Sequence, residues 1–212
     1  MGIAERRERE KEQRKIDIID AAERIIFTKG IDNTTMDEIA EQAELSKGTL
    51  YLYFKNKEDL YLAIHLRGIT TLRSMFEKAV DAELTGIEKT KSIGRAYIEF
   101  FNKYPDYFNA MIYYESHEIN FEDQNSEAAQ CLVEGKKAID ILVQSIGAGI
   151  RDKSIRQDID PLMTAVCLWG QTAGVIQLAA LKEKNMLSSQ FAIRGQDVID
   201  YTFDMIYHAL KP

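Results

Sequence analysis

The chain has 212 residues, 45% hydrophobic and 29% charged, which suits one domain or two small ones around a sizeable core and excludes a disulfide-stapled miniprotein, a fibrous repeat or a wholly disordered chain. With 27 Lys+Arg against 34 Asp+Glu the net charge is -7, so the molecule is no polycation and any basic surface must be local. Three Pro and 12 Gly argue against a loop-rich or all-β chain, and Cys131 and Cys167, without metal-ligand spacing, read as buried thiols of a reducing compartment.

The first fifteen residues are charged, with Arg6, Arg7, Arg9, Lys11, Arg14 and Lys15 interleaved with four glutamates. No apolar stretch follows, which excludes a secretory signal and points to the cytoplasm. From 16 to 28, Ile16, Ile19, Ala22 and Ile26 form one helical stripe that stops at Lys29-Gly30. Thr35 to Glu38 is a capping box, followed by Ile39, Ala40 and Ala43 on the apolar face of a short second helix. After Glu44-Leu45, Ser46 caps a third helix that turns Leu50 and Phe54 inward and leaves Lys47, Thr49, Tyr51 and Tyr53 elsewhere on its surface. Asn56 caps a fourth, long helix. Longer helices follow, with polar breaks at 84–88, 104–105, 119–126, 151–160 and 182–195. The expectation is an all-α protein of about nine helices.

Residues 35–57 have the punctuation of a helix-turn-helix: a capped helix, a tight turn around 43–45 and a second helix. Their outward residues suit a major groove. Thr49 and Ser46 offer hydroxyls, Lys47 a long cation, Gly48 close backbone approach, and Tyr51 and Tyr53 flat rings with hydroxyl tips. Lys57 adds a cation beside a helix N-terminus, whose free amides also attract phosphate. The charged tail then reads in two ways, as a solvated helix extension or as basic side chains reaching DNA. Residues 1–57 hold 11 Lys+Arg and 12 Asp+Glu, so affinity must rest on placed contacts and avidity, with strong salt dependence.

From Ile18 to Ile64 the sequence resembles the tetracycline-repressor-like (TetR/AcrR-type) transcriptional regulators. The resemblance is carried by Ala21-Ala22, Phe27, Lys29-Gly30, Thr34-Thr35, Ile39-Ala40, Ala43, Ser46 to Tyr51, Phe54 and Asn56 to Leu60. It implies a three-helix DNA-binding domain over 1–57 and a larger helical domain over 58–212 that binds an effector and dimerises. It also implies roles by position: Thr35, Tyr53 and Lys57 on phosphates, Lys47, Thr49 and Tyr51 toward bases, and Gly48 through its backbone. Glu44 departs from the pattern, because a glycine often occupies that turn position; a side chain there must tolerate a strained turn or reshape it.

Eight aromatics fall between Tyr97 and Tyr114, which reads either as an aromatic core or a wall facing the DNA-binding helices, or in part as the lining of a cavity for a flat or lipophilic ligand. Phe101, Tyr104, Phe108 and Met111 are the candidates for that lining, with Glu115 and His117 as charged partners and Cys167 and Gln171 facing in from a later helix. Trp169 by itself decides nothing. Residues 161–181 carry no charge, a composition that reads as a tightly packed soluble helix rather than a membrane span. Met163, Val166, Gly170, Ala173, Gly174, Gln177 and Leu181 form one stripe on it, and Val198, Tyr201, Met205 and Ala209 form another near the end, the pattern of a two-fold four-helix bundle. No HExxH, GxSxG or P-loop spacing occurs. The sequence thus reads as a homodimeric, effector-responsive DNA-binding regulator, most simply a repressor on a palindromic operator, with no cofactor, metal or membrane. The competing reading is an all-α carrier or enzyme whose first helices are only structural.

Overall fold

The computed structural model describes residues 2–115, 126–180 and 190–212, with only the backbone of Glu115. Among them are nine helices and no strand: α1 (Ile3–Lys29), α2 (Met36–Gln42), α3 (Lys47–Tyr51), α4 (Lys57–Ala79), α5 (Gly86–Lys103), α6 (Pro105–Glu115), α7 (Glu127–Asp152), α8 (Pro161–Ala180) and α9 (Gly195–Leu210). The helix starts follow local chemistry. The Asp59 amide donates to Asn56 Oδ1 at 2.7 Å, Thr85 and Glu88 close a capping box, Pro105 opens α6, and Asp160 accepts from the Met163 amide at 2.7 Å. At the end of α1, Gly30 takes φ +81° and its amide caps Ile26 at 2.8 Å, a conformation that disfavours any residue with a Cβ.

In the first helix one expectation, the helical extension of the tail, is met and another, the inward stripe, is corrected. The charged tail is helical from Ile3, held by the Arg6–Glu10 pair at 2.7 Å and a Gln13–Asp17 hydrogen bond at 2.9 Å. Ile16 is exposed and Ile18 fully buried, because the inward seam is set by Ile18, Ile19 and Ala22. Cys131 is buried as expected, whereas Cys167 is exposed.

The chain forms two compact units. The first, residues 1–69 with 106–132, is built on Ile18, Ala22, Ile39, Leu50, Phe54, Leu60 and Ile64, with Ala110 of α6. Within it, α6 packs by its rings: Tyr107 meets Phe27 edge-on at 5.6 Å and donates to Glu23 at 3.0 Å, Tyr113 meets Tyr61 at 4.9 Å, and Tyr114 stacks on His65 at 4.0 Å. Burial pushes His65 down to about 4. Arg67 ties α4 to α1 through Asp20 at 2.6 Å and Glu23 at 3.2 Å.

The second unit, residues 70–105 with 133–212, buries Phe76, Ile93, Tyr97, Phe100, Ile146, Ile155 and Ile176. Here α5 and α7 approach closely at Gly86, where an added Cβ would stand 1.9 Å from the Gly149 nitrogen. Helix α8 packs against α9 and α5 with Ala165, Thr172, Ala173 and Ile176 buried. It is also long and apolar enough to cross a membrane, with a mean hydropathy of 1.3.

Candidate nucleic-acid interface

The interface is built on two short capped helices. At the start of α2, Thr35 Oγ1 accepts from the Glu38 amide at 3.3 Å, while Glu38 Oε2 accepts from both the amide and the hydroxyl of Thr35 at 2.9 Å. The other Glu38 oxygen takes the Lys29 ammonium at 2.5 Å. The Lys29 ammonium and then the Thr35 donors hold the Glu38 carboxyl down at about 2. This fixes the end of α1 to the beginning of α2.

Between α2 and α3 the chain turns through Glu44 at φ 55°. The Leu45 amide reaches back to Ala40 O at 2.9 Å and the Glu44 amide to Glu41 O at 3.0 Å, the paired bonds of a Schellman ending. The turn keeps the glycine geometry without the glycine, at a steric cost of roughly 1 kcal/mol. Ser46 then caps α3, accepting from the Thr49 amide at 3.2 Å and sharing a hydrogen bond with the Thr49 hydroxyl at 2.8 Å.

Leu50 is fully buried, and this single anchor decides which side of α3 faces out. Lys47, Gly48 and Tyr51 are exposed; a Cβ at Gly48 would meet only Ser46 Oγ, at 4.0 Å. Thr35 and Ser46 are exposed, Thr49 half-buried, and Tyr53 half-buried against the core. Lys47 forms an ion pair with Asp37 at 2.6 Å, which raises its pKa further. The Lys57 ammonium donates to Ile31 O at 3.1 Å and Asp32 O at 3.5 Å, so it also braces the loop before α2. Sequence reasoning passed over Leu52, 82% exposed beside Tyr51. Its offset of two positions from buried Leu50 was the available signal, since about 200° of helix separates them.

Residues 18–64 match the family described as "Bacterial regulatory proteins, tetR family". The stretch over 18–64 carries the sequence signature of that family. Over 81 residues the chain is 33% identical to the fatty acid metabolism regulator protein of Bacillus subtilis, a match covering 38% of this chain and 42% of that relative. Its fold is shared by a tetR-family regulatory protein from Rhodococcus RHA1, with 18% identity, a TM-score of 0.68 and coverage of 93% and 97% of the two chains. It is shared too by AibR solved with isovaleryl coenzyme A and operator DNA, with 22% identity, a TM-score of 0.67 and coverage of 92% and 98%.

A second site lies wholly in the second unit. A cavity of about 50 Å³ opens among α5, α8 and α9, walled by Tyr97, Trp169, Thr172, Phe203 and Tyr207, with Phe76 from the last turns of α4. Tyr97 stacks on Trp169 at 5.1 Å, and the ammonium groups of Lys91 and Lys211 lie 4.4 and 4.1 Å from the Tyr207 ring. Among the described residues, none of the expected ligand residues lines it. Phe108 and Met111 are buried in the first unit; Phe101 is half-buried and Tyr104 exposed in the second; Cys167 and Gln171 are exposed on α8. The side chain of Glu115, His117 and Leu181 lie outside the described residues. Among the described residues no group of three His, Cys, Asp or Glu is placed to hold a metal.

The stripe on α8 and α9 is largely solvent-facing. Met163 is 64% exposed, Val166 53%, Tyr201 69% and Met205 57%, with Gly170 and Gln177 exposed and Gly174 and Val198 half-buried. Ala173 instead turns into the core.

The Glu38 network generates a pH prediction. Its carboxylate is stabilised by folding, so its contribution is complete above pH 4.5 and is lost as pH falls toward 2. Thermal unfolding followed from pH 5 to pH 2 should show a fall in stability that is flatter in Glu38→Gln; identical slopes would contradict the network.

Proposed function

We propose that the chain is an effector-responsive transcriptional regulator, a cytoplasmic homodimer that binds a palindromic operator and performs no catalysis. The observation that carries this reading is α3 itself: a capped helix pinned by Leu50, with Lys47, Gly48 and Tyr51 on its open side. On DNA, Lys47, Thr49 and Tyr51 face bases, Gly48 gives its backbone, and Thr35, Ser46, Tyr53 and Lys57 hold the sugar-phosphate chain. At binding the Lys47 ammonium leaves Asp37 for acceptor atoms on a base edge. An ammonium has three donors, so Lys57 braces its loop and still has one for a phosphate.

Met163, Val166, Gly170, Gly174 and Gln177 of α8 with Val198, Tyr201 and Met205 of α9 form the dimer face. An apolar face of this kind belongs in an isologous four-helix contact. The two recognition helices then meet one side of the duplex about 34–36 Å apart. Residues 1–57 carry DNA binding and 58–212 effector binding and dimerisation, a division of roles that differs from the compact units, whose first boundary falls inside α4 between residues 69 and 70.

The effector is a small lipophilic or aromatic molecule, and the cavity walled by Tyr97, Trp169 and Phe203 is its site. Ligand sites commonly hold about 300–1,000 Å³, so a slot of about 50 Å³ admits an effector only if its helices part. Phe76 on that wall and Lys57 at the interface are on the same helix, α4. A ligand that spreads the wall therefore acts on the element that begins at the DNA. A coupling of about 1–3 kcal/mol changes operator affinity about 5- to 150-fold. That AibR was solved with an acyl coenzyme A and operator DNA supports a small-molecule effector in a protein of this fold.

Tyr51→Ala should abolish preference for operator over random duplex in band-shift titrations while leaving the melting temperature within a few degrees of wild type, because the ring is 43% exposed. Retained preference would refute the role of α3. Gly174→Glu should shift the sedimentation coefficient to that of a monomer. A Cβ at Gly174 meets nothing within 4 Å in the protomer, so an intact dimer would refute the face.

A further inference from the structure

The amino-terminal extension of α1 has two chemically distinct sides. Arg7, Lys11 and Arg14 recur at i, i+4 and i+7, while Glu5, Glu8 and Glu12 recur at i, i+3 and i+7, so at about 100° per residue each set forms its own ridge. Residues 3–14 are exposed throughout. Arg6 and Glu10 neutralise one another at 2.7 Å. Arg7, Lys11 and Arg14 have no carboxylate partner among the described residues, and they stand on the far side of the helix from most of the acids. A net charge counted over the whole tail conceals this separation.

The basic ridge has a definite direction. Ile18 follows Arg14 by four residues and Lys11 by seven, and Ala22 follows Ile18 by four, so the line of cations continues into the buried seam of α1. That seam packs into the cluster holding Ile39 of α2, Leu50 of α3 and Phe54. Lys15 marks the crossing from seam to ridge. Its ammonium is 6.0 Å from the centre of the Phe54 ring, three residues past the end of α3, and it is also paired with Glu127 at 2.5 Å. Beyond this point the ridge overhangs, facing the way α1 faces the helix-turn-helix.

We propose that Arg7, Lys11 and Arg14 form a phosphate-binding ladder, a second DNA contact that tracks the backbone beside the groove occupied by α3. The inference rests on the DNA-binding reading above. A rise of 1.5 Å per residue spreads the three cations over about 10 Å of helix, and phosphates advance about 3.4 Å along the axis on each strand, so the ladder meets three of them. Such contacts add affinity without adding sequence preference, which remains with Lys47 and Tyr51. The acidic ridge points away from the duplex, where it limits association with DNA in other orientations.

The test uses the full chain, its selected operator and a random duplex of equal length, with affinity measured from 50 to 200 mM salt. The triple variant Arg7→Ala/Lys11→Ala/Arg14→Ala keeps good helix formers at exposed positions. It should bind both duplexes more weakly by the same factor, with its slope of log K against log salt reduced by about 2.7 per protomer. Over that fourfold salt range the wild type therefore loses about 40-fold more affinity per protomer than the variant. A variant with wild-type slope and affinity overturns the ladder while leaving operator recognition intact. Tyr51→Ala separates the two claims: it should lose operator preference and keep the wild-type slope, whereas failure of the wild type itself to prefer any operator overturns the DNA-binding reading.

Discussion

A helix of five residues has too few internal hydrogen bonds to hold itself together in water, so everything α3 presents depends on what Leu50 buries. Leu50 enters a cluster with Ile18, Ile39, Phe54 and Leu60, and that cluster joins four helices and α6 into one unit. The caps at Thr35, Ser46 and Asn56 satisfy amides that the short helices cannot satisfy internally. The result is a rigid platform on which a flexible lysine and a flat tyrosine stand outward. Specificity needs such a platform, because side chains on a fraying helix would lose in ordering entropy what they gain in contacts.

The second unit solves a different problem. It holds an apolar helix, α8, whose one side is committed to α5 and α9 and whose other side carries Met163 and Val166 in solvent. A face of that composition marks an interaction surface, and on the proposed reading a second copy of the chain covers it. The same helix contributes Trp169 and Thr172 to the cavity. On the proposed reading, dimer face and effector wall are opposite sides of one element, so a ligand that displaces the wall would also bear on the dimer contact.

Much of this was legible in the sequence where the chemistry is local. A hydroxyl followed three residues later by Glu38, a serine before Lys47 and an asparagine before Lys57 each predict a helix start, and each cap is formed. The position of Glu44 predicts a strained turn, and its φ is 55°. Tertiary partners were less legible. The aromatic run from Tyr97 to Tyr114 reads as a single cluster, whether core or wall, yet the break at Tyr104-Pro105 sends its halves into different units. Trp169 carries no meaning in isolation and becomes a cavity wall only because α8 brings it onto Tyr97. In the tail, composition suggested cancelled charges, whereas helical phase from Ile3 onward separates them.

The central claim is that α3 reads a defined DNA sequence in two copies. The most direct test is selection of duplexes from a random pool by the purified, ligand-free protein at low salt, beside the Lys47→Ala/Tyr51→Ala double variant. Enrichment of a palindrome by the wild type alone is the predicted result. Enrichment of no sequence by either protein, or of the same sequence by both, would contradict the account.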